Sequence, residues 1–181
     1  MEQNMDLVTG ATGIVGTHLL VELASRGPVR AIYRNGSDRS IVQRVFRHYR
    51  ADDDELLQRI EWVEADLLDV DALNDAMVGV RYVFHAAAMV SFDPRDTDAM
   101  QRVNVGGTTN VVNAALAQGV RRLCHVSSTA AIGHAPAGVP RKEDMPWEMK
   151  DTSSAYAIGK YEAELEVQRG IAEGLDAVIV N

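Results

Sequence analysis

The 181-residue sequence lacks several features that define common protein classes. Cys124 is its only cysteine, so no disulfide forms within the chain. Its formal net charge of −8 argues against nucleic acids and anionic membranes, which bind clustered cations. No apolar run approaches the ~18 residues of a membrane span, and no charged-then-apolar leader follows Met1. We therefore expect a cytoplasmic protein whose partners are small molecules, with neither nucleic acid nor membrane as a partner.

Metal-binding patterns are also missing from the sequence. The five histidines show no ligand-like spacing with one another or with Cys124; they are His18, His48, His85, His125 and His134. We therefore predict no metal site. Cys124 lies in a short apolar run and is predicted to be a buried strand thiol.

What the sequence does contain is a regular alternation of short apolar runs and longer helical patterns. With 46% hydrophobic and 24% charged residues, it predicts one globular domain over residues 1–181. The predicted strands are 5–9, 29–33, 60–64, 82–85, 123–126 and 177–180, and the predicted helices are 14–25, 38–49, 69–78, 96–118 and 154–173. This alternation predicts an α/β fold, a doubly wound, Rossmann-like parallel sheet with helices on both faces.

The end of the chain and one long loop bear on how such a sheet would work. Residues 133–152 form the longest irregular stretch and contain three prolines, and loops of this length are often functional. The chain stops at Asn181, after the sixth predicted strand. A second lobe normally closes the crevice beyond the carboxyl ends of such strands. We expect a fold truncated after the sixth strand, the N-terminal part of a longer protein without its C-terminal substrate lobe.

Three glycines follow the first predicted strand and open the first predicted helix, with the spacing G-x-x-G-x-x-G. Gly10 allows a tight turn, Gly13 lets the backbone approach a pyrophosphate, and Gly16 lets the helix pack closely on the strand. A purely structural glycine turn is the alternative. The residues assigned to a dinucleotide site here are Gly10, Thr12, Gly13, Ile14, Val15 and Gly16.

The end of the second predicted strand indicates which dinucleotide binds. NAD-binding turns usually carry an acidic residue about 20 residues past the glycines, whereas this sequence has Arg34. A guanidinium suits a ribose 2′-phosphate, so we predict NADP as the cofactor. The alternative is a solvated Arg34 and an enzyme that accepts NAD as well.

Tyr156 and Lys160 stand four residues apart on the last predicted helix and therefore share one face. A free tyrosine has a pKa near ~10, too high for ready proton exchange at neutral pH. A lysine charge ~4 Å away contributes ~4 kcal/mol at an effective dielectric of ~20, compared with ~1.4 kcal/mol per pKa unit. The lysine could therefore activate the phenol, although such pairs also occur by chance on helices.

Together these motifs resemble the extended short-chain dehydrogenase/reductase family, which includes NAD(P)-dependent epimerases, dehydratases and dihydroflavonol-reductase-like enzymes. The resemblance spans residues 5–181. The matches in chain order are the glycine turn, 65–67, 85–88, 104–110, 126–128, Tyr156 and Lys160.

The resemblance assigns further residues to the cofactor. It implies that Asp66 and Leu67 lie beside the adenine, and that the small side chains of Ala86, Ala87 and Ala88 leave room for the cofactor to pass. The residues alone are equally compatible with a turn acid at Asp66 and a packing contact at the alanines.

The resemblance also implies a mechanism, hydride transfer between nicotinamide and a carbonyl or alcohol substrate. Tyr156 would transfer the proton, Lys160 would stabilise the phenolate and bond the nicotinamide ribose, and Ser128 would orient the carbonyl. Tyr156 and Lys160 would both belong to the cofactor site as well. Asn104 would brace this group from below. A strand-end cap at Ser128 and a helix-surface amide at Asn104 are the alternatives.

The residues after Ser128 narrow the choice within the family. Dehydratases place an acidic pair there, but residues 129–131 carry none; epimerases commonly have an aromatic residue where Ile132 stands. The segment is more similar to dihydroflavonol reductases and hydroxysteroid dehydrogenases. A sugar-nucleotide epimerase or dehydratase and a non-catalytic NAD(P)-binding protein are the alternatives, and a homodimer stays open. Without a substrate lobe, we expect cofactor binding but little turnover.

Overall fold

The computed structural model describes residues 5–49, 54–136, 138–150 and 153–181. Six strands form one parallel sheet in the order 3-2-1-4-5-6, which confirms the predicted doubly wound fold. The strands are β1 (Met5–Thr9), β2 (Val29–Tyr33), β3 (Ile60–Glu64), β4 (Val80–His85), β5 (Arg122–Val126) and β6 (Ala177–Val180). The strand order reverses between β1 and β4, the place where open α/β sheets bind ligands.

The helices agree with the sequence patterns except in two places. They are α1 (Ile14–Arg26), α2 (Ser40–Tyr49), α3 (Asp54–Leu57), α4 (Val70–Met77), α5 (Thr97–Gln101), α6 (Gly107–Ala117) and α7 (Ala155–Ala172). The four-residue α3 is too short to show an apolar period and was not predicted. The predicted helix 96–118 contains a π-helical segment, Arg102–Gly106, between α5 and α6.

The core lies on both faces of the sheet. In β1, Leu7 faces the cluster formed with α4 and α6, whereas Val8 faces the cluster formed with α1 and α2; both side chains are fully buried. Burial on both faces explains why the strands read as continuous apolar runs rather than as alternating ones.

The sheet is more exposed to solvent at β5 and β6 than the predicted burial of Cys124 requires. Cys124 on β5 is half-buried rather than buried, and partial burial raises the pKa of its thiol. Its neighbour on β6, Val178, is also partly open to solvent, so this face of the sheet is thinly covered by the described residues.

The described part of the predicted loop 133–152 has no helix or strand; Ala137 and residues 151–152 lie outside the described residues. At Gly133 a Cβ atom would lie 2.2 Å from the Pro146 carbonyl oxygen, so the loop folds back closely on itself. In the part of the chain that the structure covers, no helix is long and apolar enough to cross a membrane. Among the same residues, no three or more His, Cys, Asp or Glu side chains lie close enough together to hold a metal ion.

Candidate functional site

A cleft of about 380 Å³ lies at the carboxyl ends of β1, β2, β3 and β4. We call it the glycine-turn cleft. Its lining includes these predicted cofactor residues: Gly10, Thr12, Gly13, Arg34, Asp66, Leu67, Ala86, Ala87 and Ala88. The rest of the lining is Ile32, Tyr33, Ser37, Ala65, Met89 and Val103. Segments that follow four separate strands therefore meet here, because parallel strands end at the same edge of the sheet.

The glycine turn leaves no room for side chains. Gly10 has a positive φ of 67°, and a Cβ atom there would lie 2.7 Å from the Cα of Ala87. A Cβ atom on Gly16 would lie 2.1 Å from the Gly10 carbonyl oxygen. Gly13 donates its N–H to that same oxygen over 2.9 Å. The three glycines thus bring the turn, α1 and the segment after β4 into direct contact.

The start of α1 is suited to an anion. Gly13 is the N-cap residue and has no side chain to bond the first helical amides. Unpaired N–H groups and the positive helix end together attract phosphate. Ile14 and Val15 are 81% and 45% exposed, and neither residue is part of the cleft lining. Gly16 packs against the turn and is not part of the cleft lining.

The cleft wall at the end of β2 carries the predicted specificity residue. Arg34 is exposed and lines the cleft together with Tyr33 and Ser37. The guanidinium of Arg39 lies 4.6 Å from the centroid of the Tyr33 ring and 5.7 Å from that of Trp62. This cation–π contact holds a second positive charge beside the same wall.

Asp66 is a turn acid that also lines the cleft, so a place beside the adenine stays a prediction. Its carboxylate accepts the Leu68 N–H over 2.9 Å. Leu67 is buried, and its carbonyl oxygen accepts from the amide of Asn110 over 2.9 Å. Helix α6 therefore fixes the backbone of this segment.

Asn104 is buried and clamps the segment after β4. Its Nδ2 donates to the Met89 carbonyl oxygen over 2.9 Å, and its Oδ1 accepts the Met89 N–H over 2.7 Å. The alternative of a helix-surface amide is therefore wrong. The partner of this amide, Met89, lies 15 residues earlier in the chain, on the segment after β4.

Ser128 follows β5 and caps the 3₁₀ turn Thr129–Ala131. Its Oγ accepts the Ala130 N–H over 3.1 Å. This bond uses an oxygen lone pair and leaves the hydroxyl hydrogen available as a donor. The predicted cap and the predicted substrate-orienting hydroxyl are therefore compatible.

Lys160 lies on α7 one turn after Tyr156 and is only 2% exposed. Its Nζ donates to the Val126 carbonyl oxygen over 2.9 Å and lies 3.4 Å from Nε2 of His125. Burial lowers the pKa of Lys160 to about 8, and the nearby Glu164 carboxylate opposes this shift. The lysine that was expected to reach a cofactor is thus held against β5. Ser128, Tyr156 and Lys160 lie outside the lining of the glycine-turn cleft, and we call them the serine–lysine edge.

Sequence reasoning missed a brace behind the serine–lysine edge. The carboxylate of Glu164 accepts hydrogen bonds from the Ser127 hydroxyl and, over 2.6 Å, from Nδ2 of Asn181. The same Nδ2 donates to the Ser128 carbonyl oxygen over 3.1 Å. The four-residue step from Lys160 to Glu164 was a signal for a shared helix face. Nothing in the sequence indicated the contact with Asn181.

Comparisons with known proteins agree with this geometry. The sequence profile of the NAD dependent epimerase/dehydratase family matches residues 7–181. A putative dihydroflavonol 4-reductase from Synechocystis sp. is 37% identical over 175 residues, 96% of this chain and 47% of the relative. Cinnamoyl-CoA reductase 1 from Oryza sativa subsp. japonica is 34% identical over 187 residues, 99% of this chain and 52% of the relative.

A solved structure is similar as well. The short-chain dehydrogenase/reductase superfamily protein from Agrobacterium tumefaciens, with bound NAD, has a TM-score of 0.76 and 32% identity, and the match covers 97% of this chain and 48% of that one. This chain spans about half the length of the curated relatives it matches. The chain therefore belongs to the NAD dependent epimerase/dehydratase family, among the extended short-chain dehydrogenases/reductases that its motifs resemble.

Proposed function

We propose that this chain is the NADP-binding and catalytic part of an oxidoreductase that interconverts a carbonyl compound and an alcohol. The observation that carries the proposal is that the two candidate sites lie at the carboxyl ends of neighbouring strands. The glycine-turn cleft includes the segment after β4, and Ser128 follows the adjacent strand β5, against which the buried Lys160 is held. Tyr156 lies on α7 one turn before Lys160. The likeness to a dihydroflavonol 4-reductase and a cinnamoyl-CoA reductase supports carbonyl reduction as the reaction class.

The residues of the cleft fit NADP in several places. The amides at the start of α1 would bind the diphosphate, because their donors have no capping side chain. Asp66 and Leu67 would flank the adenine, and the alanines after β4 would leave space for the chain of the cofactor. Arg34 would pair with the 2′-phosphate, since a guanidinium presents two parallel donors to phosphate oxygens. When bound, NADPH supplies the hydride.

The serine–lysine edge would handle the proton and the substrate oxygen. The Ser128 hydroxyl keeps its hydrogen as a donor and would hold the carbonyl oxygen in place. Tyr156 would protonate the developing alkoxide. A pKa of about 8 leaves Lys160 mainly protonated at neutral pH, so it would provide the positive charge that stabilises a phenolate one helical turn away.

Cofactor choice is tested by titrating the chain with NADPH and with NADH and following cofactor fluorescence. We expect the chain to prefer NADPH and the Arg34→Ala variant to lose about tenfold of that preference, equivalent to one charge-assisted hydrogen bond of ~1.4 kcal/mol. The matched control is Arg44→Ala, an exposed arginine on α2 outside the cleft, which should leave the ratio unchanged. An unchanged ratio in Arg34→Ala contradicts the assignment of the 2′-phosphate to Arg34.

A sugar-nucleotide epimerase or dehydratase is the second candidate, favoured by the description of the matching family. The absence of carboxylates in residues 129–131 argues against the dehydratase, which needs an acid and a base there. The discriminating experiment incubates the protein with sugar nucleotides and, separately, with NADPH and a panel of aldehydes and ketones. Conversion of a sugar nucleotide without net cofactor oxidation would replace our proposal. Cofactor binding with neither conversion, measured on the whole protein of which we propose this chain to be a part, would indicate a non-catalytic NAD(P)-binding protein.

A further inference from the structure

The buried imidazole of His85 connects strand β1 to helix α6 through its two ring nitrogens. His85, the last residue of β4, is fully buried. Its Nδ1 lies 2.7 Å from Oγ1 of Thr9 on β1, and its Nε2 lies 3.0 Å from Oγ1 of Thr108 on α6. A neutral imidazole has one donor and one acceptor, so the two hydroxyls must play opposite roles.

The far side of each hydroxyl is bonded to the backbone. The Ala87 N–H donates to Thr9 Oγ1 over 3.2 Å. At the other end, Thr108 Oγ1 donates to the Asn104 carbonyl oxygen over 2.6 Å. An amide N–H can only donate and a carbonyl oxygen can only accept, so the polarity of both ends is fixed.

These fixed ends determine where the proton on His85 must be. Thr108 uses its hydrogen for Asn104, so its oxygen can only accept, and Nε2 of His85 must carry the hydrogen. In the neutral ring Nδ1 is then an acceptor, and the Thr9 hydroxyl donates to it. A protonated ring would leave the Thr9 hydroxyl hydrogen without this acceptor. Burial, and next the charge of Lys160, lower the pKa of His85 to about 3, so the ring is neutral at physiological pH.

Both ends of this chain of hydrogen bonds lie at the wall of the glycine-turn cleft. Ala87 is the residue against which Gly10 packs, with only 2.7 Å between its Cα and the position of a Cβ on Gly10. Asn104 clamps the backbone of Met89, which also lines the glycine-turn cleft. Movement of either end must therefore strain the bonds to His85.

We propose that His85, in its Nε2–H form, is a positioning residue that fixes the wall of the glycine-turn cleft at Ala87 relative to Asn104. Its hydrogen bonds run in one direction, from the Ala87 amide through Thr9, His85 and Thr108 to the Asn104 carbonyl. The consequence of this positioning for cofactor binding rests on the proposed function, whereas the hydrogen-bond chain itself does not.

The first test is the tautomer of His85 in the chain labelled with ¹⁵N. Long-range ¹H–¹⁵N correlation spectra separate a protonated ring nitrogen from an unprotonated one. We expect Nε2 to be protonated and Nδ1 to be unprotonated, and the ring to stay neutral across the neutral pH range. An Nδ1–H form, or a cationic ring near neutral pH, would overturn the proposal without reference to any activity.

The second test removes the acceptor at one end. In Thr108→Val, Nε2–H loses its acceptor while the Thr9 hydroxyl still donates to Nδ1, so we expect the tautomer to be kept and the resonances of His85 Nε2 and of the Ala87 amide to shift. NADPH affinity should fall about tenfold, in line with one disrupted buried hydrogen bond. Thr108→Ser retains the hydroxyl and should restore both resonances and the affinity.

The matched control is Thr109→Val. Thr109 is the next residue on α6 and bonds the Val105 carbonyl oxygen over 2.9 Å, but it does not contact His85. It should leave the tautomer and the Ala87 resonance unchanged. A Thr108→Val protein that keeps the wild-type Ala87 resonance and NADPH affinity would show that His85 only fills space. If the wild-type chain shows the Nε2–H form but binds neither NADPH nor NADH, the proposed function fails and the hydrogen-bond chain stands.

Discussion

The glycine-turn cleft and the serine–lysine edge lie side by side and are built in opposite ways. The cleft is formed by backbone in direct contact, as where Gly10 meets Ala87 without room for a Cβ atom. The edge is formed by side chains whose polar groups are bonded in the interior, as where Lys160 bonds the Val126 carbonyl and Glu164 bonds Asn181. The cleft is therefore sensitive to added volume, and the edge is sensitive to lost polar groups.

The surroundings of the two regions differ as well. The cleft is backed by two core clusters, one on each face of the sheet. Near the edge, Val180, which pairs with Val126 of β5, is 50% exposed. The positions of the side chains at the serine–lysine edge therefore depend more on individual hydrogen bonds than the backbone of the cleft does. Three substitutions test this difference between the two regions.

The largest effect is expected at Tyr156. In Tyr156→Phe the proton donor is lost while the ring and its packing are kept, so single-turnover NADPH oxidation by a carbonyl substrate should slow by about 10²–10⁴-fold when it is measured on the whole protein of which we propose this chain to be a part. NADPH affinity should not change, because the phenol is not part of the glycine-turn cleft. Stopped-flow NADPH absorbance with protein in excess measures the rate, and fluorescence titration measures the affinity.

Tyr161→Phe is the matched control on the same helix. Tyr161 stacks on Trp147 with a centroid distance of 4.2 Å, and its hydroxyl has no assigned role. It should leave the rate unchanged. Equal rates for wild type and Tyr156→Phe would remove the phenol from the mechanism.

The next effect is expected in the backbone of the cleft. Gly10→Ala combines a residue at φ +67° with a Cβ atom 2.7 Å from Ala87, so the free energy of unfolding should fall by about 3–4 kcal/mol and NADPH binding should be lost. Gly79→Ala is the matched control: Gly79 also has a positive φ, 73°, but has open space around it. It should cost only about 1–2 kcal/mol and keep NADPH binding.

Denaturant unfolding measures both costs. A Gly10→Ala protein no less stable than Gly79→Ala would mean that the turn has room to relax. The cleft would then not depend on close backbone contact, and the contrast between the two regions would fail.

The smallest effect concerns pH and Lys160. The folded pKa of Lys160 is about 8, against an ordinary value of 10.5, because burial disfavours its charge. Between these pH values the unfolded chain binds more protons than the folded one, so the Lys160 contribution to the free energy of unfolding rises with pH. A difference of about 2.5 between the two pKa values corresponds to at most about 3 kcal/mol.

Urea unfolding at pH 7 and pH 10 measures this contribution. Lys160→Met should be more stable relative to wild type at pH 7 than at pH 10, because the methionine has no charge to bury. Lys142→Met, at an exposed lysine, should show no such difference. An equal stability difference at both pH values would mean that Lys160 titrates normally, and that its polar surroundings do not disfavour the charge.

Much of the fold followed from local patterns. All six predicted strands exist, and the start of β4 was placed two residues late because Val80 and Arg81 follow Gly79 without a clear apolar alternation. The sequence also predicted that Gly10, Arg34, Asp66 and the alanines would meet, since parallel strands bring their carboxyl ends to one edge. The helix predicted at 96–118 exists, but its π-helical segment was not predicted, because such a segment leaves no mark in the apolar pattern of the sequence.

The sequence by itself determined the strand and helix order, the glycine positions and the residue types at the strand ends, because these depend on neighbours within a few positions along the chain. Only the tertiary structure decided that Asn104 faces inward, that Lys160 is buried against β5, and that Thr9 and His85, 76 positions apart, share a hydrogen bond. The physical reason is that a buried polar group must find its partner within about 3 Å in space. Where that partner lies along the chain is set by how the strands and helices pack.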